Sequence, residues 1–142
     1  MHSPILLHAT TVAIDGVAAV IEGPSGAGKS DLALRLVDGG ARLVADDRTA
    51  IALVDGRLVA RPPDTIAGLM EVRGIGIVEM PHVAEATVGL IVVLVPAHEI
   101  ERMPDSEFRA LLGFDVPVLR LDPHPASAAA KVRLAVARAA RR

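Results

Sequence analysis

The residues whose types and spacing point most clearly to a chemical role are 23–30. Their sequence, GPSGAGKS, matches the pattern G-x-x-x-x-G-K-[ST] at every fixed position. Glycines let successive backbone N–H groups turn toward phosphate oxygens, and a helix N-terminus that follows adds favourable partial charge. We expect Lys29 to reach the β- and γ-phosphates of ATP and Ser30 to ligate Mg²⁺. The sequence therefore predicts a phosphate-binding loop, or P-loop, made by Gly23, Pro24, Ser25, Gly26, Ala27, Gly28, Lys29 and Ser30.

Two adjacent aspartates, Asp46 and Asp47, follow the next apolar segment along the chain. A pair of aspartates is often a solvated turn, because Asp is a common turn residue. Beside a P-loop the pair has chemical uses, since one carboxylate can hold Mg²⁺ or its water and another can accept the proton of a hydroxyl nucleophile. A bound cation also relieves the repulsion between the two charges. We therefore predict that Asp46 and Asp47 lie beside the γ-phosphate.

The elements that must position these groups follow an α/β pattern. Residues 4–23 predict two or three short strands with a hairpin turn at Asp15-Gly16, and the apolar segment VAAVIE runs directly into the P-loop. A mostly buried helix is expected after Lys29, ending at Gly39-Gly40. The segment ARLVAD predicts the next strand, and a second hairpin is expected around Asp55-Gly56.

The second half of the chain continues the same alternation of strands and helices. Residues 87–96, TVGLIVVLVP, are typical of a central strand buried on both faces. After it we predict a short helix over 105–113 capped by Asp105 or Ser106, a strand over 116–122 and a terminal helix within 125–142. The predicted fold is a single α/β domain, residues 1–142, with a P-loop core of mixed sheet, flanking helices and an antiparallel N-terminal extension.

Composition excludes several classes of protein. The net charge is -2 and only two aromatic residues occur, both Phe, so nucleic-acid binding is not expected. The longest apolar run is about half the length of a bilayer-spanning helix, and the N-terminus lacks the basic region of a signal peptide. No cysteine is present to form a disulfide. We expect a soluble, cytoplasmic protein that does not bind membranes.

The sequence resembles the catalytic, C-terminal domain of HPr kinase/phosphorylase, which phosphorylates a serine of the phosphocarrier HPr. Four pieces carry the resemblance in order: His8, the segment GPSGAGKSDLALRLVDGGARLVADDR, the segment EVRGIGIVEM at 71–80, and the buried strand that follows. The resemblance as a whole covers roughly residues 5 to 121. The segment EVRGIGIVE is the most specific piece, because ordinary P-loop proteins have nothing like it.

The resemblance implies roles for individual residues. Asp47 would be the proton acceptor, with Asp46 as a supporting carboxylate and metal ligand beside Ser30. Glu71, which opens the second segment, would be a further Mg²⁺ ligand, and the arginine of the family's site would be Arg102. His8 alone is typical of a histidine in a strand, and only the resemblance gives it a catalytic role.

The chain also departs from the family. Longer members carry an N-terminal domain before the histidine, which here already stands at position 8, so this chain looks like a short form. The family's Gly-Arg-Asn loop near the C-terminus is missing, which weighs against the reverse phosphorylase reaction. The resemblance implies an HPr-like carrier as partner and a homo-oligomer, a hexamer in the family. A P-loop kinase of small molecules and a non-catalytic nucleotide-binding module remain as alternatives.

The predicted terminal helix places Lys131, Arg138 and Arg142 on one face. One interpretation is a solvated basic face that complements the helix dipole. The alternative is a docking surface for an acidic partner or a neighbouring subunit.

Overall fold

The computed structural model describes residues 3–63 and 67–141. Among these residues it contains a nine-stranded mixed sheet, a separate two-stranded sheet, two α-helices and one short 3₁₀ helix, Ala97–Glu99. The helices are α1, Lys29–Asp38, and α2, Ala128–Ala139. The strands are β1 Ile5–Leu7, β2 Ala9–Ile14, β3 Val17–Glu22, β4 Arg42–Ala45, β5 Thr49–Val54, β6 Arg57–Arg61, β7 Leu69–Val72, β8 Gly76–Glu79, β9 Ala86–Leu94, β10 Phe108–Leu111 and β11 Phe114–Leu121.

Strand directions bring four strand ends to one edge of the large sheet. The strand order is β1-β5-β6-β9-β3-β2-β4, with β11 pairing with β9. Strands β3 and β11 are both parallel to β9, and β2 is antiparallel to both β3 and β4. Strands β3, β4, β9 and β11 therefore all end on the same side, which we call the carboxyl edge. Ligand sites in α/β sheets form at such an edge.

Both helices pack on one face of the sheet, which we call the helix face. In α1 the buried residues Leu32, Ala33, Leu36 and Val37 recur at helical spacing and meet Ile21 of β3 and Val92 of β9. In α2 the residues Ala128, Val132 and Val136 are spaced four apart and join the same cluster. The sequence expectation of a mostly buried first helix is confirmed.

The opposite face, the back face, is covered by strands. Strands β5 and β6 curl over it, so that the hydroxyl oxygens of Thr11 in β2 and Thr49 in β5 lie 2.9 Å apart although β2 and β5 are not sheet neighbours. The hairpin of β10 and β11 covers the rest through Leu111 and Val116, which pack with Val20 and Ile91 of the sheet.

The helix predicted over 105–113 is wrong, because residues 108–111 form strand β10. Phe108 pairs with Pro117 and Leu111 with Phe114 in an antiparallel hairpin whose turn is Leu112-Gly113. The apolar residues of this segment are compatible with the spacing of a helix or of a strand. Tertiary packing favours the strand: Leu111 is buried on the back face, and Arg109 and Glu107 form ion pairs with residues of other strands.

The predicted strands, hairpin turns and fold class agree with the described residues. Three short strands open the chain, and the hairpin turns fall at Asp15-Gly16 and Asp55-Gly56, all four residues with positive φ. Strand β9 is central, with β3, β6 and β11 as neighbours. The fold is α/β, as predicted. Within the described part of the chain no helix is long and apolar enough to cross a bilayer.

The basic face predicted on the terminal helix is only partly described, because Arg142 lies outside the described residues. Lys131 and Arg138 of that face are exposed. Arg133, elsewhere on α2, donates from its guanidinium to the carbonyl oxygen of Leu36 near the end of α1, at 3.4 Å.

Candidate functional site

Residues 23–30, the glycine loop, connect the carboxyl edge of β3 to the first turn of α1. Gly26 and Gly28 have positive φ angles of 81° and 102°, a region that favours glycine. Gly28 is the N-cap of α1 and no side chain caps the helix there, so the first backbone N–H groups of α1 remain available to an anion. The Lys29 ammonium donates to the carbonyl oxygens of Gly23 at 2.7 Å and Pro24 at 3.3 Å.

Asp46 is fixed beside this loop by hydrogen bonds from three segments. Its Oδ1 accepts from the Ser30 hydroxyl at 2.8 Å and from the Thr10 hydroxyl at 3.2 Å, and its Oδ2 accepts from the backbone N–H of Glu71 at 3.3 Å. The predicted proximity of the aspartate pair to the glycine loop is thus present in the structure. Asp46 is half-buried, and these donors hold its carboxylate in one orientation.

Asp47 lies in a different local environment from its neighbour. Its φ is 66°, and the N–H of Arg48 donates to the carbonyl oxygen of Asp46 at 2.7 Å, which makes a three-residue γ-turn of the rarer, positive-φ kind. The N–H of Asp47 donates to Thr10 Oγ1 at 3.0 Å. Its side chain is exposed and makes no hydrogen bond with the described residues. The turn therefore presents this carboxylate to the space in front of the loop, at a conformational cost of order 1 kcal/mol.

A cleft of about 830 Å³ opens between the glycine loop and the β7–β8 hairpin. Lys29, Ser30 and Asp47 line one side of it, and Glu71 and Arg73 line the other. The hairpin belongs to the segment EVRGIGIVEM, and its strands pair Glu71 with Ile77 and Val72 with Gly76. The most specific piece of the sequence thus forms a wall of the same cleft as the glycine loop.

The two remaining predicted residues are placed differently. His8 is exposed and lies between β1 and β2, and the adjacent Ala9 pairs with Glu22, the last residue before the glycine loop. Its backbone is therefore at the carboxyl edge. Arg102 is exposed in the segment between β9 and β10, which starts at the same edge, but it does not line the cleft. The structure does not bring Arg102 to the residues around Lys29.

Thr10 and Arg35 support the site from positions that no sequence motif marks. Thr10 is fully buried and bonds both aspartates, yet it precedes Asp46 by 36 positions, so no local pattern reveals it. Arg35 of α1 donates to the carbonyl oxygen of Pro123 at 2.6 Å and pairs with Asp31 at 3.3 Å. This contact fastens the segment after β11 beside Gly28 of the loop; a Cβ at Gly28 would lie 3.6 Å from Pro123 Cγ.

The oxygen donors at the loop fit a magnesium ion better than a transition metal. Ser30 and Asp46 present a hydroxyl and a carboxylate 2.8 Å apart, and Mg²⁺ usually takes one or two carboxylates plus phosphate and water oxygens. In residues 3–63 and 67–141 no three His, Asp or Glu side chains come together as a metal-binding group. Ser30 and Asp46 could therefore hold Mg²⁺ together with nucleotide phosphates.

Comparison with known proteins gives a consistent result. Residues 1–141 match the family model described as the HPr Serine kinase C-terminal domain. HPr kinase/phosphorylase of Clostridium novyi is 36% identical over 126 residues, which cover 81% of this chain and 40% of that protein. The same-named protein of Clostridium beijerinckii is 45% identical over 74 residues, which cover 52% of this chain and 24% of that protein.

A solved structure supports the same relationship. The Hpr(Ser) kinase/phosphatase from Coxiella burnetii matches with a TM-score of 0.82 and 27% sequence identity, covering 96% of this chain and 90% of that one. Against the two curated relatives described above, the chain spans 24% to 40% of their length.

Proposed function

This chain belongs to the family of HPr serine kinase C-terminal domains, and from that premise we propose that it transfers a phosphoryl group from ATP to a serine of an HPr-like phosphocarrier, with Mg²⁺ as cofactor. One observation carries the proposal. The Ser30 hydroxyl and the Asp46 carboxylate are bonded at 2.8 Å in front of the first turn of α1, and Lys29 and Asp47 line the same cleft. A glycine loop, a hydroxyl–carboxylate pair and an exposed carboxylate thus converge.

Each group has a task in phosphoryl transfer. The backbone N–H groups of the glycine loop and the Lys29 ammonium would stabilise the charge of the transferring phosphoryl group. Mg²⁺ bound by Ser30 and Asp46 would supply further neutralisation of phosphate charge. Asp47 would accept the proton of the serine hydroxyl, a contribution of about 10²- to 10⁴-fold. Asp47 is exposed and its side chain makes no hydrogen bond with the described residues, which suits a proton acceptor. The hydrogen-bonded side chain of Asp46 suits a fixed ligand.

The remaining assignments are extensions of the proposal. Glu71 lines the cleft and would add a carboxylate to the metal site. His8 at the carboxyl edge would assist at the phosphate side of the reaction, as the family resemblance implies. Arg102 does not line the cleft, and its role in the site stays a prediction. Arg73 does line the cleft and is the better-placed arginine.

The proposal has wider consequences for the protein in the cell. An enzyme that uses ATP and an HPr-like carrier would act in the cytoplasm. We propose the forward kinase reaction only, because this sequence lacks the Gly-Arg-Asn loop that the family resemblance implies near the C-terminus. Assembly into a homo-oligomer, a hexamer in the family, stays a prediction.

A direct assay tests the proposal. The purified protein is incubated with ATP, Mg²⁺ and an HPr-type carrier, and intact-mass and peptide mass spectrometry locate any added phosphoryl group. We expect one phosphoryl group on a serine of the carrier, with no transfer when EDTA removes Mg²⁺. Transfer only to small molecules of a metabolite pool would favour a metabolite kinase. ATP binding without transfer to either acceptor would indicate a non-catalytic module.

A further inference from the structure

Glu22 places a carboxylate directly before the phosphate cradle. It is the last residue of β3 and precedes Gly23, and its side chain is only 19% exposed. Ala19 and Ile21 belong to the cluster on the helix face, and Ala18 and Val20 to the cluster on the back face, so alternation directs Glu22 to the back face. A poorly solvated negative charge at this position would repel a bound triphosphate.

Arg109 meets this carboxylate from the covering hairpin. Its Nη1 lies 2.5 Å from Glu22 Oε1, although the two residues are 87 positions apart in the chain. Arg109 is held there because β10 pairs with β11 and anchors to the back face through Leu111. The ion pair therefore joins the hairpin to the strand end that leads into the glycine loop.

The other two charged residues nearby, Glu107 and Arg120, pair with each other, so Arg109 is the residue that neutralises Glu22. Glu107, also close to Arg109, accepts two hydrogen bonds from Arg120, both at 2.9 Å. These bonds lower the pKa of the Glu107 carboxyl, so Glu107 is ionised and already paired with Arg120. The four groups form two acid–base pairs with no net charge. Removing Arg109 would leave one uncompensated carboxylate immediately behind the cradle.

We propose that Arg109 is a positioning residue for the nucleotide: it cancels the charge of Glu22 and so keeps the glycine loop favourable to a polyanion. The inference rests on the proposed nucleotide binding by that loop. A charge effect of Arg109 on ATP binding can be distinguished from a purely mechanical effect of the ion pair. A mechanical clamp is broken equally by removing either partner, whereas charge compensation matters only when the carboxylate remains.

The experiment compares ATP affinity in four proteins: wild type, Arg109→Gln, Glu22→Gln and the double variant, each titrated with ATP and Mg²⁺. Arg109→Gln is expected to raise the Kd for ATP roughly tenfold, because an uncompensated carboxylate would then stand directly before the glycine loop. Glu22→Gln should bind ATP as well as wild type or better. The double variant should have a Kd close to that of wild type. Arg109→Lys should also have a near-wild-type Kd, because lysine keeps the positive charge.

Two controls make the outcome specific. Arg57→Gln removes a positive charge from the β5–β6 hairpin, where Arg57 pairs with Glu85 at the opposite edge of the sheet, and should leave the Kd unchanged. The ratio of the Arg109→Gln and wild-type Kd values should shrink as salt rises from about 0.05 to about 0.5 M, because ions screen the exposed part of the interaction.

Three results would overturn the inference: ATP affinity unchanged in Arg109→Gln, equal losses in Arg109→Gln and Glu22→Gln, or a double variant as weak as Arg109→Gln. If Arg109→Gln does not fold, the double variant decides, since charge compensation requires it to fold and bind ATP like wild type. Failure of the wild-type protein to bind ATP would instead remove the proposed function on which the inference depends.

Discussion

At the scale of single residues, the two aspartates at the cleft differ in how firmly their side chains are held. Asp46 accepts three hydrogen bonds from Thr10, Ser30 and the backbone of Glu71, so its carboxylate is preorganised. Asp47, one position later, is turned by a positive φ into the cleft. Under the proposed function, the fixed carboxylate of Asp46 would serve as a metal ligand and the exposed carboxylate of Asp47 as the base.

Replacing Lys29 by Ala should weaken ATP binding by roughly 10- to 100-fold, because the ammonium is the cationic group of the glycine loop. Isothermal titration with ATP and Mg²⁺ measures the effect. The chain has one other lysine, Lys131, which is exposed on α2, and Lys131→Ala is the matched control. Equal affinities for the Lys29→Ala variant and wild type would show that the loop does not bind the phosphates.

Replacing Asp46 by Asn should raise the Mg²⁺ concentration needed for half-maximal phosphoryl transfer by about tenfold or more, since a charged oxygen ligand is lost. The Asn amide can still accept one hydrogen bond from Ser30, so the loop should keep its shape. Transfer is measured over a range of Mg²⁺ concentrations at saturating ATP. An unchanged Mg²⁺ requirement would remove Asp46 from the metal site.

At the scale of elements, contacts between distant segments decide what local sequence leaves open. The glycine loop and its flanking strand and helix were predictable because their signals are contiguous, and the position of the aspartate pair was predictable as the end of the next strand. Strand β10 was not, because FRAL permits a helix or a strand and the hairpin with β11 makes the choice. The Arg109–Glu22 pair was equally hidden, as its members are 87 positions apart.

The contact between α1 and α2 predicts how a substitution at Gly39 changes the free energy of unfolding. A Cβ on Gly39 would overlap the guanidinium of Arg133, which donates to Leu36 at the end of α1. Gly39→Ala should therefore be about 1 kcal/mol more destabilising in wild type than in an Arg133→Ala background, where alanine fits the φ of -87°. Urea unfolding of the four proteins measures this coupling.

Gly40→Ala is the control for that cycle. Gly40 has a φ of 110°, so alanine is strained there whether or not Arg133 is present. Equal effects of Gly39→Ala in both backgrounds would mean that Arg133 does not occupy the position beside Gly39.

The hydrogen bonds between Glu107 and Arg120 of β11 predict how the Glu107 carboxyl titrates with pH. The two hydrogen bonds from Arg120 lower the pKa of Glu107 below its ordinary value of 4.5. A carboxyl with a lowered folded pKa stabilises the protein above its unfolded pKa, and this stability is lost as pH falls through the folded pKa. Arg120→Gln should raise the pKa of Glu107 toward 4.5, observed by NMR titration of its side-chain carbonyl carbon. A Glu107 titration that does not move would contradict the pairing.

At the scale of the whole molecule, the fold explains how residues far apart in sequence share one edge. Strand β2 is antiparallel to both β3 and β4, so the glycine loop after β3 and the aspartates after β4 emerge together. The β7–β8 hairpin then closes the cleft from outside the large sheet. Sequence motifs were enough to predict that the glycine loop and the aspartate pair lie close together. Their shared partner Thr10 could not be predicted, because its position depends on the strand order.

The central claim is that Asp47 accepts the proton of a carrier serine while the rest of the site binds ATP and Mg²⁺. The most direct test is one paired measurement on Asp47→Asn: its Kd for ATP, and its rate of phosphorylation of an HPr-type carrier followed by mass spectrometry. We predict a Kd within about threefold of wild type and a transfer rate lower by about 10²- to 10⁴-fold. Phosphorylation of the carrier at the wild-type rate would contradict the account.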